Sequence, residues 1–83
     1  MPDNIIGAQL RRLRYSKDLT QSELAARCGV AGFDISRGTL SKIEAGLRCV
    51  SDKELLLLAK ALRVPIDQLF ENRVRKAKSG FAK

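Results

Sequence analysis

The sequence predicts an all-α domain in which short helices follow one another closely. One helix begins after Thr20 and another after Ser36, and both residues are of the type that caps a helix N-terminus. Glu23 lies three residues after Thr20, which is the spacing of a reciprocal capping box. Gly46 can end the second of these helices, because glycine adopts the left-handed conformation without a Cβ penalty. Two capped helices in succession are the layout of a helix-turn-helix.

Five helices and no strand are expected along the chain. The first is predicted over about residues 4–17, where Leu10 and Leu13 share one face. The second and third are the two capped helices. The fourth begins at Ser51 with another capping box, and its four consecutive leucines predict that it is the central core helix. Proline at 65 ends it, and a short fifth helix is predicted over 66–71.

The third helix has one apolar and one polar side. Leu40 and Ile43 are three residues apart and therefore face inward together. The other side chains are polar or basic: Arg37, Thr39, Ser41 and Lys42. A short helix with this outer face suits the major groove of DNA.

Motifs spread over residues 6–70 occur in a fixed order. They are Leu10 and Leu13, then LTQ at 19–21, Leu24 and Ala25, TLSKIEAG at 39–46, LAKALRVP at 58–65 and DQLF at 67–70. The ordered set resembles the Cro and phage-repressor (XRE-like) helix-turn-helix family of bacterial and phage regulators. This resemblance implies a five-helix lambda-repressor-like fold and a sequence-specific regulator of transcription. It also implies binding to double-stranded DNA as a homodimer on a two-fold operator, where the protein most often represses.

The turn of the motif departs from the family pattern. Family members place glycine and valine directly before the recognition helix, whereas Gly29 and Val30 are here followed by the extra residues 31–35. We expect Ile35 to take the core position of the usual valine, with the second helix continuing for about a turn through Gly29. A longer loop is the alternative, because each glycine weakens a helix by about 1 kcal/mol relative to alanine.

The resemblance assigns candidate DNA contacts to two groups of residues. Those expected to contact bases are Arg37, Gly38, Thr39 and Lys42, and those expected to contact the backbone are Gln21, Ser22, Ser41 and Arg48. Arginine can bind guanine O6 and N7 in bidentate fashion, which suits Arg37 to base reading. The alternative for Arg37 and Lys42 is an ordinary solvated helix face.

Two further groups are expected to be structural. The resemblance implies an interior ion pair between Arg14 of the first helix and Glu44 of the third. A dimer surface is expected around the fifth helix, which carries more apolar residues than a short terminal helix can bury: Ile66, Leu69, Phe70 and Val74. The alternative is that Leu69 and Phe70 close the core.

Charge divides the chain into residues 1–71, the expected DNA-binding domain, and 72–83, a basic tail. The tail holds five of the 16 basic residues and none of the nine acidic ones, so it contributes +5 of the net +7. It could be a phosphate-binding arm or a solubilising terminus.

Composition narrows the function classes. The chain has no histidine, and Cys28 and Cys49 are far apart, so no metal site, cofactor or catalytic triad is expected. Both cysteines are expected to be small buried side chains. With neither an apolar run long enough to span a membrane nor a signal peptide, we expect a cytoplasmic protein without a small-molecule ligand. There are two alternatives to a transcription regulator. One is an antitoxin that binds a toxin and its own promoter, and the other is a protein-binding adaptor with the same fold.

Overall fold

The computed structural model describes residues 3–70, which form four α-helices followed by a 3-10 helix. The helices are α1 (Gly7–Ser16), α2 (Gln21–Ala31), α3 (Arg37–Glu44), α4 (Asp52–Leu62) and the 3-10 helix Ile66–Phe70. No strand occurs within residues 3–70, and the all-α prediction is confirmed. The expected basic tail and Val74 lie outside the described residues.

The fifth element is a 3-10 helix where the sequence had suggested another helix of unspecified type. It is entered through Pro65, whose carbonyl accepts a hydrogen bond from the Gln68 N–H at 3.0 Å, three residues further on. That spacing is the hydrogen-bond pattern of a 3-10 turn, which short terminal segments commonly adopt.

The helix starts expected at Thr20, Ser36 and Ser51 are confirmed. The Thr20 hydroxyl accepts a hydrogen bond from the Glu23 N–H at 3.0 Å, and the Glu23 carboxylate accepts one from the Thr20 N–H at 2.8 Å. Ser51 and Glu54 form the same capping box at the start of α4. The Ser36 hydroxyl caps α3 by accepting from the Thr39 N–H. These contacts satisfy N–H groups that have no partner inside the helix.

The first helix begins three residues later than predicted, because Asn4 caps it from outside. The Asn4 side-chain oxygen accepts hydrogen bonds from the N–H groups of Ile6 and Gly7. Its side-chain nitrogen donates to the carbonyls of Ile43 and Arg48, at 3.0 and 2.9 Å. One amide therefore starts α1 and ties it to the end of α3.

The second helix continues past Gly29 to Ala31, so the expected helical extension is correct and the alternative of a longer loop is not. It ends at Gly32, whose φ of 103° is the left-handed conformation that favours glycine. Phe33 then turns into the core and is buried, whereas Ile35 is only half-buried against it. Ile35 therefore packs against the core, as expected, but Phe33 is the more deeply buried side chain of this segment.

The core lies where α2 and α4 pack together. Helix α3 packs on α2, and α1 packs on α3 and on the 3-10 helix, which also contacts α4. The fully buried large side chains of the core include a leucine or isoleucine from every helix, namely Leu10, Leu24, Leu40, Ile43, Leu58, Leu62 and Leu69. Of the four consecutive leucines in α4, Leu58 is fully buried and Leu56 is about half exposed. The central position predicted for α4 is therefore correct, but one side of the helix faces solvent.

Helix α1 approaches α3 closely at Gly7. A Cβ atom at this position would lie 2.6 Å from the Ile43 carbonyl oxygen and 2.7 Å from that of Glu44. Both contacts are to backbone, which cannot turn aside as a flexible side chain does. Glycine is therefore required at position 7 by packing between elements.

The two cysteines have different environments. Cys28 is fully buried, and burial raises the pKa of its thiol to about 11, so it stays protonated and unreactive near neutral pH. Cys49 is exposed in the segment between α3 and α4. The expectation that both are buried is wrong for Cys49, because the next residue, Val50, packs against the core in its place.

The Gly7 contact leads to a matched pair of expected outcomes. Gly7→Ala should destabilise the protein by about 1–3 kcal/mol, because the added methyl overpacks against backbone. Gly29→Ala is the control, since a Cβ there meets nothing within 4 Å and the residue is helical. It should stabilise by about 0.5–1 kcal/mol through helix propensity. Urea denaturation measures both, and equal effects would show that Gly7 is not held by packing.

Candidate nucleic-acid interface

Helix α3 has a buried side and an exposed side. Leu40, Ile43 and Glu44 face the interior. The residues that face solvent are Arg37, Gly38, Ser41 and Lys42. Positions 37 and 41, and 38 and 42, are each four residues apart, so these residues form two adjacent rows on one surface. The exposed side therefore carries two cationic groups and two small residues that leave the helix backbone accessible.

Thr39 is placed differently from the other expected base contacts. It is half-buried, and its hydroxyl oxygen accepts a hydrogen bond from the Ser36 hydroxyl at 3.1 Å. It thus takes part in the cap of α3 at the edge of the exposed side. Gly38 is fully open, because a Cβ there would meet only the Ser36 hydroxyl oxygen at 3.7 Å.

A shallow surface groove runs from the end of α1 to the starts of α2 and α3. We call it the polar groove, and it is lined by Arg14, Tyr15, Thr20, Gln21, Ser22 and Arg37. It brings Gln21 and Ser22, the expected backbone contacts, beside Arg37, the expected base contact. The capping box of α2 uses the backbone N–H groups of Thr20 and Glu23 but not those of Gln21 and Ser22. Free N–H groups at a helix N-terminus can bind a phosphate group.

Tyr15 was missed by reasoning from sequence. It is 62% exposed, and the Arg14 guanidinium carbon lies 4.7 Å from the centre of its ring. The sequence offered one signal, its position directly after an arginine expected to be buried. It gave no indication that the end of α1 reaches the starts of two other helices.

A buried ion pair lies behind the polar groove, where the resemblance implied one. Arg14 and Glu44 are 6% and 5% exposed, and two guanidinium nitrogens donate to the two carboxylate oxygens at 2.7 and 3.0 Å. The third guanidinium nitrogen donates to the Leu19 carbonyl at 2.9 Å. Hydrogen bonding to Glu44 raises the pKa of Arg14, so its charge is retained despite burial.

Gln21 is connected to this pair. Its side-chain nitrogen donates to a Glu44 carboxylate oxygen at 3.1 Å, and the residue is only half-buried. The Gln21 side chain, at the start of α2, is therefore oriented by the Glu44 carboxylate of α3, which is itself paired with Arg14 of α1. The expected backbone contact is held in place before any DNA arrives.

Arg48 is engaged within the protein. Its guanidinium donates to both carboxylate oxygens of Glu54 at 3.0 and 3.3 Å and to the Cys49 carbonyl at 3.0 Å. These hydrogen bonds lower the pKa of Glu54. Because Glu54 also caps α4, the pair fixes the loop between α3 and α4. The charge of Arg48, an expected DNA-backbone contact, is thus partly balanced within the protein.

The expected dimer surface is only partly available. Ile66 is 40% exposed and Phe70 is half-buried, but Leu69 is 0% exposed and packs inside this chain. The prediction that Leu69 belongs to a dimer surface is therefore wrong, and the alternative is correct: Leu69 closes the core beneath the 3-10 helix. Residue 74 lies outside the described part of the chain.

Within residues 3–70, no group of three or more histidine, cysteine, aspartate or glutamate side chains is arranged to hold a metal ion. No helix in the same part of the chain is long and apolar enough to cross a membrane.

Comparison with known families identifies the architecture. A helix-turn-helix family model matches residues 10–69, which is most of the chain. The chain belongs to the XRE-type helix-turn-helix family. This is a family of DNA-binding transcription regulators.

Solved structures of other helix-turn-helix proteins are similar to this chain. The restriction-modification controller protein C.AhdI from Aeromonas hydrophila is 36% identical, with a TM-score of 0.68 over 77% of this chain and 86% of its own. A hypothetical transcription factor, NHTF from Neisseria, is 26% identical, with a TM-score of 0.70 over 84% and 78%. A tyrosine-to-phenylalanine mutant of the restriction-modification controller protein C.Esp1396I is 24% identical, with a TM-score of 0.69 over 90% and 94%, and supports the fold. A search of curated protein sequences gives no significant match.

The buried pair should behave as a unit in this helix-turn-helix domain. Arg14→Met leaves the Glu44 carboxylate buried without its partner, which should cost about 3–5 kcal/mol of stability. Adding Glu44→Leu to that variant should recover much of the loss, since an apolar pair removes the stranded charge. A double-mutant cycle by urea denaturation measures the coupling. Additive losses would mean that the two charges do not interact.

The second ion pair predicts a pH dependence. Because the pKa of Glu54 is lowered in the folded protein, the ion pair contributes stability above the unfolded pKa of this group, and the contribution is lost as pH falls through the folded pKa. Glu54→Gln should therefore be less stable than the parent at pH 7, and the difference should shrink on acidification. Denaturation across the acid range measures it. In an Arg48→Met background the same substitution should cost little, and an unchanged cost there would exclude Arg48 as the cause.

Proposed function

We propose that this chain is a sequence-specific transcription regulator that binds double-stranded DNA as a homodimer and represses from a two-fold operator. The observation that carries the proposal is the placement of Arg37. It stands at the start of the exposed side of α3 and also lines the polar groove with Gln21 and Ser22. One residue thus joins a surface suited to base edges with a groove suited to phosphate.

Groove chemistry supports roles for the individual residues. Arg37 and Lys42 are long cationic side chains that reach guanine O6 and N7 or a phosphate, and Gly38 and Ser41 let the helix approach the bases. Gln21 and Ser22 contact the backbone at the N-terminus of α2, which sets register without reading sequence. Thr39 contributes from the edge of the surface, with its hydroxyl oriented by Ser36.

A dimer follows from the size of the recognition surface. Helix α3 has eight residues and covers a few base pairs, so two copies on half-sites about one DNA turn apart, roughly 10 base pairs, are needed for specificity. The exposed Ile66 and the half-buried Phe70 supply apolar surface at the 3-10 helix for such a contact. The two-fold axis of the proposed dimer is on that side of the molecule.

The regulated genes are proposed from the structural neighbours. The protein 36% identical over 77% of this chain is named a restriction-modification controller. We propose that this chain likewise controls genes of a restriction-modification locus.

Selection of bound fragments from random and local genomic DNA tests the proposal. Enrichment of an inverted repeat with half-sites about one turn, or a multiple of it, apart is the expected result. Sedimentation of the protein with and without this duplex gives the stoichiometry. Recovery of fragments with no shared sequence would contradict specific binding.

Two variants separate base reading from backbone contact. Arg37→Ala should lose about 1–3 kcal/mol on the selected site and discriminate less at one base pair. Gln21→Ala should weaken binding to the selected site and to random duplex by the same factor, because phosphate contacts carry no sequence information. Fluorescence anisotropy measures the affinity of each variant for the selected site and for random duplex. An equal loss for Arg37→Ala on both duplexes would make it a phosphate contact.

A further inference from the structure

Tyr15 is an exposed aromatic residue that the fold itself does not require. It is the only tyrosine in the chain, and it lies one residue before the end of α1. The residue is 62% exposed and therefore contributes little to the core. Its neighbours are instead the residues of the polar groove, where it lines one wall beside Gln21, Ser22 and Arg37.

The ring is held by a group that is itself fixed. The Arg14 guanidinium carbon lies 4.7 Å from the ring centre, within the range of a cation–π contact. Arg14 is immobilised by its two hydrogen bonds to Glu44 and its third to the Leu19 carbonyl. Tyr15 is therefore more restricted than an exposed side chain at a helix end would otherwise be.

The chemistry of the groove favours an anion. Among residues 3–70, the six that line it comprise two arginines, a tyrosine, a glutamine and two hydroxyl residues, with no carboxylate. The Arg14 charge is balanced by Glu44 behind the groove, whereas Arg37 presents its charge at the exposed start of α3. A phosphate that reaches Arg37 and the N-terminus of α2 therefore passes along the wall that Tyr15 forms.

We propose that Tyr15 is an additional DNA-backbone contact, whose phenolic hydroxyl donates a hydrogen bond to a phosphate oxygen in the polar groove. Tyrosine hydroxyls are among the usual donors to DNA phosphates. The inference rests on the proposed function, because it assigns a residue to the same interface. It makes Arg14 and Glu44 positioning residues for DNA binding, acting through Tyr15 and Gln21.

A neutral donor has a distinct signature in salt titrations. Removal of a Lys or Arg contact reduces the slope of log affinity against log salt, because fewer counterions are released. Removal of a phenol hydroxyl leaves the number of released counterions unchanged. Tyr15→Phe therefore lowers affinity by a constant factor at every salt concentration, and by the same factor on the selected site and on random duplex.

The experiment compares Tyr15→Phe, Arg37→Ala and the control Ser16→Ala by anisotropy titration on both duplexes. Tyr15→Phe keeps the ring on Arg14 and should bind roughly tenfold more weakly with an unchanged salt slope. Ser16→Ala removes the neighbouring hydroxyl, which donates to the Leu13 carbonyl and lies outside the groove, and should bind like the parent. If Arg37→Ala loses affinity while Tyr15→Phe binds like the parent, the assignment of Tyr15 is overturned and the proposed function stands. If the parent protein does not bind duplex DNA, both fail.

A second measurement uses the parent protein and needs no variant. Tetranitromethane nitrates exposed tyrosine rings, and since Tyr15 is the only tyrosine, the mass of the whole protein reports its modification. Saturating duplex should protect Tyr15 from nitration. Unchanged nitration in a complex shown by anisotropy to be fully bound would overturn the proposal.

Discussion

The interaction on which the rest of the structure depends is the buried ion pair between Arg14 and Glu44. Two charges removed from water are stable only when each is paired and hydrogen-bonded, and here both carboxylate oxygens and three guanidinium nitrogens are used. The pair joins α1 to α3. Arg14 also donates to the Leu19 carbonyl, in the turn before α2, and Glu44 accepts a hydrogen bond from Gln21 at the start of α2, so both segments are tied to the pair. A shift of any of these elements would strand a charge, so their relative positions are narrowly defined.

Helix α3 is fixed at both ends while its exposed side stays open. At its start, the Ser36 hydroxyl caps it. At its end, Asn4 donates to the Ile43 carbonyl, and Gly7 allows α1 to pack directly against the backbone there. Just beyond, Arg48 and Glu54 fix the following loop to α4. A surface held in this way loses little conformational entropy on binding, which favours affinity for a rigid partner such as duplex DNA.

Structure and recognition are therefore closely coupled in this small domain. The groove that we propose for phosphate is backed by the same ion pair that orders the helices, and Gln21 hydrogen-bonds to it directly. Mutations at Arg14 or Glu44 should consequently affect DNA binding even in protein that remains folded. In contrast, the exposed residues of α3 contribute nothing to the core, so substitutions there should leave the fold intact.

The sequence by itself determined the helices, because caps such as Thr20 and Ser51 and the spacing of leucines act between residues three or four apart. The family resemblance placed the recognition helix and suggested the ion pair. Tertiary structure decided what depends on contacts between distant segments: the glycine required at position 7, the burial of Leu69, the pairing of Arg48 and the place of Tyr15 in the polar groove. Such features arise from the angles and distances at which helices pack, and no local pattern of residues encodes those.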